Sequence, residues 1–156
     1  MQEIERKYLV CDDSFKEEAF ACARIAQGYL CKRKVTARVR IYGDRAYITF
    51  KGKSRDGGLS RFEYEREIPL RCAELLLARC RGIIEKVRYM VKVGEHVWEV
   101  DVFDGDNTGL IVAEVELESV EQQPQLPSWV WKEVTGNRYY HNSFLTQHPY
   151  KEWGNK

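Results

Sequence analysis

Charged side chains at every second position constrain the fold of this chain more than any other feature. The opening stretch EIERK places Glu3, Glu5 and Lys7 at alternate positions. Successive side chains of a β-strand point to opposite faces, so these three residues share one face of a strand predicted over residues 2–10. The alternation recurs in six later segments, which predicts a sheet with one charged face.

The later alternating segments carry almost only carboxylates and cations on that face. One charged face is ordinary for any single antiparallel strand, since such sheets commonly have one side in water. Across seven strands, repeated Arg and Lys pairs among carboxylates favour a binding site instead. The segments contribute Arg38 and Arg40; Lys51; Arg61, Glu63, Glu65 and Glu67; Lys86 and Arg88; Glu99 and Asp101; and Glu114, Glu116 and Glu118.

The order of strand and turn signals predicts a mainly β member of the α+β class. Hairpin links make the sheet antiparallel, and eight antiparallel strands can close into a barrel, which removes exposed edges. We therefore predict an eight-stranded antiparallel closed barrel, or tunnel, with a few flanking helices. Strands are expected over 2–10, 25–30, 34–42, 45–51, 60–68, 83–93, 96–103 and 110–118, and helices over 14–23, 69–82 and parts of 128–147.

Two of these helices have recognisable ends in the sequence. Ser14 and Glu17 are spaced as a capping box, which predicts the start of the first helix. Pro69 and Gly82 bound the second helix, in keeping with the preference for Pro at helix starts and Gly after helix ends. Gly136 is expected to interrupt the helical region near the C-terminus.

Length and charge narrow the class of protein. A chain of 156 residues is expected to form one domain, residues 1–156. Lys plus Arg (25) and Asp plus Glu (24) nearly cancel, so neither nucleic acid nor an acidic membrane is expected as a partner. No apolar run resembles a signal peptide or a membrane span, which predicts a cytoplasmic protein.

Cysteine and histidine give little sign of chemistry. The five cysteines are odd in number and contain no CxxC pair, so they are interpreted as small buried hydrophobic residues in a reducing compartment. His96, His141 and His148 lack the spacing of metal ligands and are expected at the surface or at helix caps.

A barrel with its charged face inward implies a particular ligand. Buried charges of both signs are costly unless partners satisfy them. Arg side chains match phosphate oxygens in a two-point fashion, while carboxylates beside phosphate require a bridging cation. Oxygen ligands without a His or Cys cluster suit Mg²⁺ or Mn²⁺. The charge pattern therefore predicts a site for a metal ion and a polyphosphate.

These motifs together resemble the CYTH superfamily, also called the triphosphate tunnel metalloenzymes. EIERK is similar to the ExExK signature of that family. The resemblance runs from Glu3 to about Asn142, and the chain is similar to a short, stand-alone bacterial member of the family. The later motifs occur in the family order: RVR, TFK, SRFEYE, EKVRY, EVDVF, EVE and a late Arg before YYHN.

The resemblance implies roles for individual residues. Catalysis is expected of Glu5, Lys7 and Glu116. Metal binding is expected of Glu3, Glu5, Glu114, Glu116 and Asp101, and phosphate binding of Lys7, Arg38, Arg40, Lys51, Lys86, Arg88 and Arg138. A further set is expected to line the site: Tyr29, Lys53, Arg61, Glu63, Glu65 and Glu99. Strand parity allows either Lys51 or Lys53 to reach the phosphates. The segment 128–142 is expected to close one mouth and deliver Arg138.

The resemblance also implies an activity. We predict a divalent-metal-dependent triphosphatase acting on a small-molecule triphosphate, above all inorganic triphosphate. The alternatives are a class IV adenylyl cyclase, a thiamine triphosphatase and a polyphosphate-binding module without activity. An apolar outer barrel face is compatible with a homodimer.

Overall fold

A computed structural model describes residues 2–154, in which nine strands alternate with short helices. The predicted domain limits at residues 1 and 156 lie outside the described residues. Seven of the eight predicted strands begin and end within about two residues of their expected limits. The strands are β1 (Gln2–Val10), β2 (Ala21–Lys32), β3 (Thr36–Tyr42), β4 (Arg45–Lys51), β5 (Ser60–Ile68), β6 (Ile84–Val93), β7 (His96–Phe103), β8 (Ile111–Glu116) and β9 (Val130–Glu133).

The first eight strands form a closed antiparallel barrel, as predicted. Their order around the barrel is β5-β4-β3-β2-β6-β7-β8-β1. Gln2–Ile4 of β1 pair with Ser60–Phe62 of β5 and close the circle, while Glu5–Leu9 of β1 pair with β8 on the other edge. β1 therefore joins the two ends of the sheet, and its EIERK segment lies where the barrel closes.

A ninth strand begins the region that was expected to be helical in parts, and its helical parts are a 3-10 turn at Arg138–Tyr140 and an α-helix at Asn142–Leu145. β5 pairs only with the first residues of β1, and β9 pairs with Tyr8 and Val10 farther along the same edge of β1. The backbone N–H of Lys7 donates to Thr135 Oγ1 at 3.0 Å, and the N–H of Val134 donates to the carbonyl oxygen of Lys7 at 2.8 Å. The residues after β9 thus extend the barrel wall along β1.

The helices are shorter than predicted. They are α1 (Phe15–Glu18), α2 (Leu70–Leu77) and α3 (Asn142–Leu145). β2 begins at Ala21, inside the helix expected over 14–23, because the sheet extends β2 along β6 from Ala21. Ser14 makes no side-chain cap; its hydroxyl donates to Asp12 Oδ1 at 2.6 Å.

The outer face of the barrel is apolar and is covered in two places. Phe15 of α1 and Trp129, just before β9, pack on a cluster that includes Trp98, Val100 and Val115. Ala73, with Leu76 and Leu77, covers Val39 and Ala46 at the opposite side. Successive residues of a strand point to opposite faces of the sheet. Because these apolar residues face outward, the charged residues that alternate with them point into the barrel.

One end of the barrel is filled by apolar side chains. Ile84, Phe103, Leu110, Val112 and Leu145 form a buried cluster where β6 and β8 begin and β7 ends. The last of these belongs to α3, and Tyr140, Tyr150 and Trp153 pack against the cluster. The C-terminal segment therefore closes this end of the barrel.

The cysteines differ from the prediction of buried small residues. All five are free, and only Cys80 is even partly buried, whereas Cys11, Cys22, Cys31 and Cys72 are exposed. Their strand and helix positions place them on outward or solvent-facing sides. None of the helices in residues 2–154 is long and apolar enough to span a membrane.

Candidate active site

The barrel encloses a cavity of about 290 Å³ that is lined almost entirely by polar side chains. Six cations and seven carboxylates face it, so neither an anion nor a cation alone matches the lining. Of the residues predicted from the sequence, the lining contains Glu3, Glu5, Lys7, Tyr29, Arg38, Arg40, Lys51, Arg61, Glu63, Glu65, Arg88, Glu99, Glu114 and Glu116.

Strand register brings the acidic residues of β1 and β8 together. Glu5 lies directly opposite Glu116, and Lys7 lies directly opposite Glu114. Directly opposed side chains on one face of an antiparallel pair have Cβ atoms about 5 Å apart. The ladder therefore stacks two carboxylates beside a cation–carboxylate pair.

Glu5 and Glu114 share a hydrogen bond, which requires a proton between them. Burial and the neighbouring Glu114 and Glu3 raise the pKa of Glu5 well above its usual range. Burial alone would raise the pKa of Glu114 too, but Lys7, the hydrogen bond from Glu5 and Arg88 lower it well below normal. The proton of this pair therefore resides on Glu5.

A second carboxylate pair lies beside the first. Glu3 is hydrogen-bonded to Glu63, and burial together with that contact raises the pKa of Glu3 despite the nearby Lys51. Burial and the charges of Glu3 and Glu99 likewise raise the pKa of Glu116. We call these neighbouring side chains the carboxylate wall: Glu3, Glu5, Glu63, Glu114 and Glu116. Like charges this close disfavour full ionisation of the wall unless a cation binds among them.

Lys51, and not Lys53, faces this wall. Lys51 Nζ lies 3.2 Å from Glu3 Oε2 and 3.6 Å from Glu63 Oε2. Lys53 is exposed and borders a separate outer hollow with Arg55 and Phe62. The ladder decides between them, because Lys51 ends β4 opposite Glu63, whereas Lys53 lies beyond the strand.

Two further cations, Arg38 and Arg40, project from β3 and are almost buried. Arg38 Nη2 donates to Thr49 Oγ1 at 3.1 Å, while its Nε is buried without a hydrogen-bond partner. Arg40 Nε donates to Gln27 Oε1 at 2.9 Å. An unpartnered buried guanidinium N–H costs free energy that an anion in the cavity would recover.

Three guanidinium groups repel one another inside the barrel. Burial, followed by the charges of Arg38 and Arg88, lowers the pKa of Arg40 to about 9. Loss of solvation is the larger cause of this low pKa, and the positive charges of the two neighbouring arginines add to it. The field of these neighbouring positive charges is the electrostatic complement of a polyanion.

Arg88 is the one member of this group with a full carboxylate partner. Its Nε and Nη2 donate to the two oxygens of Asp101 at 2.8 and 3.0 Å, and its Nη1 lies 3.3 Å from Glu99 Oε2. The ion pair with Asp101 is buried, whereas the Glu99 side chain is 37% exposed. Asp101 therefore fixes the guanidinium plane of Arg88.

Asp101 and Lys86 do not line the cavity, which differs from their predicted roles in metal and phosphate binding. Lys86 Nζ lies 2.7 Å from Asp101 Oδ2 and donates to Asn142 Oδ1 at 2.9 Å. Both side chains are almost fully buried. Asp101 already has two cationic partners there, so its oxygens are committed to Lys86 and Arg88.

Arg138 also lies outside the cavity, which corrects its predicted delivery to the phosphates. It is exposed at the start of a 3-10 turn (Arg138–Tyr140), and its guanidinium lies over the Phe144 ring at 5.3 Å. The same segment instead presents His141, Asn142 and Ser143 to the cavity.

His141 is therefore a cavity residue that sequence reasoning misses. It was expected at the surface or at a cap, because a histidine without a ligand motif gives no signal of its own. Gln27 and Thr49 were missed as well, and both are buried partners of the cavity arginines. Their strand parity with Tyr29 and Lys51 is the signal that could have found them.

Among the described lining residues, the carboxylate oxygens are the anionic donors that suit a hard divalent cation. In the described part of the chain, no three Asp, Glu, His or Cys side chains are grouped closely enough to hold a metal ion alone. Mg²⁺ is usually held by one or two carboxylates together with substrate phosphates and water. The proton-sharing Glu5–Glu114 pair fits this mode, since a cation can take the place of the shared proton.

Comparison with known proteins identifies relatives along nearly the whole chain. A sequence model of the CYTH domain matches residues 1–146. The inorganic triphosphatase of Acetivibrio thermocellus is 42% identical over 155 residues, which are 97% of each protein. The inorganic triphosphatase of Nitrosomonas europaea is 36% identical over 151 residues, which are 93% of this chain and 97% of that protein.

Solved structures agree with the barrel. The crystal structure of an inorganic triphosphatase superposes with a TM-score of 0.67 at 31% identity, covering 92% of this chain and 93% of that one. A Hippeastrum protein, described as a putative adenylyl cyclase with a dominant triphosphatase activity, superposes with a TM-score of 0.61 at 15% identity over 76% of this chain and 81% of that one. The latter likeness concerns the fold alone.

Proposed function

The chain belongs to the CYTH domain family, and we propose that it hydrolyses inorganic triphosphate in the charged cavity with a bound divalent metal ion. The observation that carries this proposal is the burial of Arg40 beside Arg38 and Arg88 in the cavity lining, where loss of solvation and then the two neighbouring charges lower the pKa of Arg40 to about 9. Two carboxylate pairs stand beside this cationic field. A polyanion relieves the field, and a cation relieves the carboxylates.

The cations of the cavity would bind and orient the substrate. Arg38 and Arg40 offer guanidinium N–H groups to phosphate oxygens, and Arg88 is held in place by Asp101. Lys7 and Lys51 add ammonium groups at the carboxylate wall. Fixed donors of this kind stabilise charge on a transferred phosphoryl group without rearranging during the reaction.

Glu3, Glu5, Glu114 and Glu116 would hold the metal, which we propose to be Mg²⁺ or Mn²⁺. Their oxygens suit these hard cations, and two of them already share a proton that a cation would replace. When bound, such an ion supplies charge neutralisation for phosphate oxygens and acidifies a coordinated water. The partly exposed Glu65 and Glu99 would repel free phosphate at the rim and attract the cation.

The reaction consumes one water molecule for each triphosphate. The water oxygen forms a bond to a terminal phosphorus, and the adjacent P–O bond to the bridging oxygen breaks. Pyrophosphate leaves with the electron pair of that bond, and phosphate is the second product. One proton of the water stays on the phosphate, and the other passes to pyrophosphate or to solvent. The cavity cations hold the three phosphoryl groups during this transfer and disperse the charge on the departing pyrophosphate.

The lining favours a substrate without a nucleoside. Among the described lining residues, Leu59 is the only one with an aliphatic side chain, and Tyr29 and His141 are the only aromatic ones. A base or thiazole ring gains most from an apolar or stacking surface, which this cavity scarcely offers. Inorganic triphosphate needs no such surface.

A substrate panel tests the proposed function. Initial rates of phosphate release would be compared for inorganic triphosphate, ATP and thiamine triphosphate, each with Mg²⁺, with Mn²⁺ and with a chelator. We expect inorganic triphosphate to be hydrolysed at least about tenfold faster than ATP, and the chelator to abolish turnover. Cyclic AMP and pyrophosphate from ATP would identify a cyclase instead. Tight binding without turnover would identify a binding module.

A further inference from the structure

His141 reaches the cavity from the C-terminal segment and not from the barrel itself. Its backbone is held on both sides: its N–H donates to Arg138 O at 3.1 Å, and its carbonyl oxygen accepts from the N–H groups of Phe144 and Leu145. Its imidazole makes no cap contact with α3. The backbone of His141 is thus held in place, while its imidazole makes no hydrogen bond to α3.

The surroundings of this imidazole are mainly cationic. Burial, followed by Lys7 and Arg61, lowers the pKa of His141 to about 4, with Lys51 acting in the same direction and Glu114 against it. The ring is therefore neutral at neutral pH and carries one N–H and one lone pair. Among residues 2–154, no side chain or backbone group is recorded as a hydrogen-bond partner of the ring.

We infer that the imidazole N–H of His141 donates a hydrogen bond to a phosphate oxygen of the triphosphate, which makes His141 a substrate-binding residue. This inference rests on the proposed function. A neutral donor binds an anionic oxygen without adding a further positive charge to Lys7, Lys51 and Arg61. The alternative use of the ring, as a metal ligand through its lone pair, makes a different prediction for Mn²⁺ affinity and is decided by the experiment below.

The inference places one contact of the substrate near the closed end of the barrel. His141 immediately precedes α3, whose Leu145 belongs to the apolar cluster that fills this end. Lys7 Nζ donates to the carbonyl oxygen of Tyr140 at 3.3 Å, so a phosphate-binding cation touches the residue beside His141. Lys7 and His141 line the same cavity, so a triphosphate bound there can contact both side chains.

Calorimetry with inorganic triphosphate in the absence of metal tests this contact. His141→Leu removes the donor and retains bulk, and His141→Gln restores an N–H donor. His96→Leu serves as the matched control, because His96 begins β7 outside the cavity lining. We expect His141→Leu to raise the Kd about tenfold, since a hydrogen bond to a charged group is worth about 1.5 kcal/mol or more. His141→Gln and His96→Leu should stay within about threefold of the wild type.

Further outcomes decide between the possible roles of the ring. Unchanged binding by His141→Leu, with thermal unfolding like the wild type, would overturn the inference. Equal weakening by His141→Leu and His141→Gln would also overturn it, because ring shape rather than the N–H would then matter. A loss of Mn²⁺ affinity in His141→Leu without triphosphate would reassign the ring to the metal. If the wild type binds triphosphate but does not cleave it, the proposed function fails, and the Kd comparison still decides the role of His141.

Discussion

Asp101 holds Arg88 through two hydrogen bonds, Nε to Oδ1 at 2.8 Å and Nη2 to Oδ2 at 3.0 Å, in the closed interior of the barrel. The same carboxylate lies 2.7 Å from Lys86 Nζ. One buried anion thus compensates two buried cations. This arrangement makes Asp101 a positioning residue for the candidate site, because it acts through Arg88.

Replacing Asp101 with Asn should destabilise the protein. Removing one partner of a buried ion pair leaves an uncompensated charge, which costs about 3 to 5 kcal/mol. The free energy of unfolding, measured by denaturant titration, should fall by about 3 kcal/mol. Asp106→Asn is the matched control, since its pair with Lys151 is exposed and such pairs contribute little to stability. Equal losses in both variants would contradict the buried network.

Neutralising the carboxylate wall should stop turnover and leave the fold intact. Glu5→Gln and Glu116→Gln are each expected to lower metal-dependent triphosphate hydrolysis by about a hundredfold or more, as loss of a charge-stabilising group typically does. Burial and the neighbouring Glu114 and Glu3 raise the pKa of Glu5 well above its usual range, so the neutral Gln should not destabilise the protein. Mn²⁺ affinity by calorimetry should fall in parallel.

Glu85→Gln provides the control for that experiment, because Glu85 lies on the exposed side of β6. It should leave both Mn²⁺ affinity and turnover unchanged. Full activity of Glu5→Gln and Glu116→Gln would mean that these carboxylates do not hold the metal.

Acidification should destabilise the wild type partly through His141. Lys7, Lys51 and Arg61 face its ring, with Glu114 as the opposing charge, and its pKa of about 4 lies below the ordinary 6.5. Between these pH values the unfolded chain binds more protons than the folded one, so stability falls as the pH falls from about 6.5 to 4. His141→Gln should lose about 1 to 2 kcal/mol less over this range, because water screens the partly accessible ring.

Denaturant titrations of both proteins at pH 6.5 and at pH 4.5, without metal or substrate, measure this difference. Parallel pH profiles for the wild type and His141→Gln would show that the ring is not held neutral by its surroundings.

A contact between two glycines should be required to keep the cavity closed beside β1. A Cβ atom on Gly58 would clash with Gly136 Cα, so the loop before β5 and the turn after β9 touch through their backbones. Gly58→Ala must displace the turn that carries Thr135 and leads to His141. Since small misplacements near reacting groups are costly, we expect triphosphate turnover to fall about tenfold or more.

Gly57→Ala is the matched control for this contact. Gly57 shares the positive φ of Gly58, and a Cβ there would meet nothing within 4 Å. It should therefore show the backbone strain alone, about 1 kcal/mol of stability, with turnover close to the wild type. Equal loss of activity in both variants would attribute the effect to strain and not to the contact.

The barrel could be predicted because its signals are local. Alternation of charged and apolar residues fixes strand faces, and turns such as Gly43–Asp44 and Gly94–Glu95 fix the hairpins around them. The prediction of a CYTH fold with eight antiparallel strands is confirmed. The extension of β2 over Ala21–Cys22 could not be predicted, because pairing with β6 overrides local helix signals.

The side of the sheet to which each residue points could be predicted better than how deeply its side chain is buried. Parity places Lys86 and Asp101 on the inner face, but only the packed structure buries them below the cavity, under Asn142 and beside Phe103. Outside the strands no period applies, so the exposed position of Arg138 and the cavity position of His141 could not be predicted from the pattern. The prediction that Glu3, Glu5, Glu114 and Glu116 bind metal stays a prediction.

The most direct test of triphosphate hydrolysis by this protein is a ³¹P NMR spectrum of inorganic triphosphate incubated with the protein and Mg²⁺. We expect the triphosphate signals to disappear while phosphate and pyrophosphate grow in equal amounts, and a chelator to prevent this. Triphosphate signals that persist in the presence of Mg²⁺ or Mn²⁺ would contradict the proposed hydrolysis.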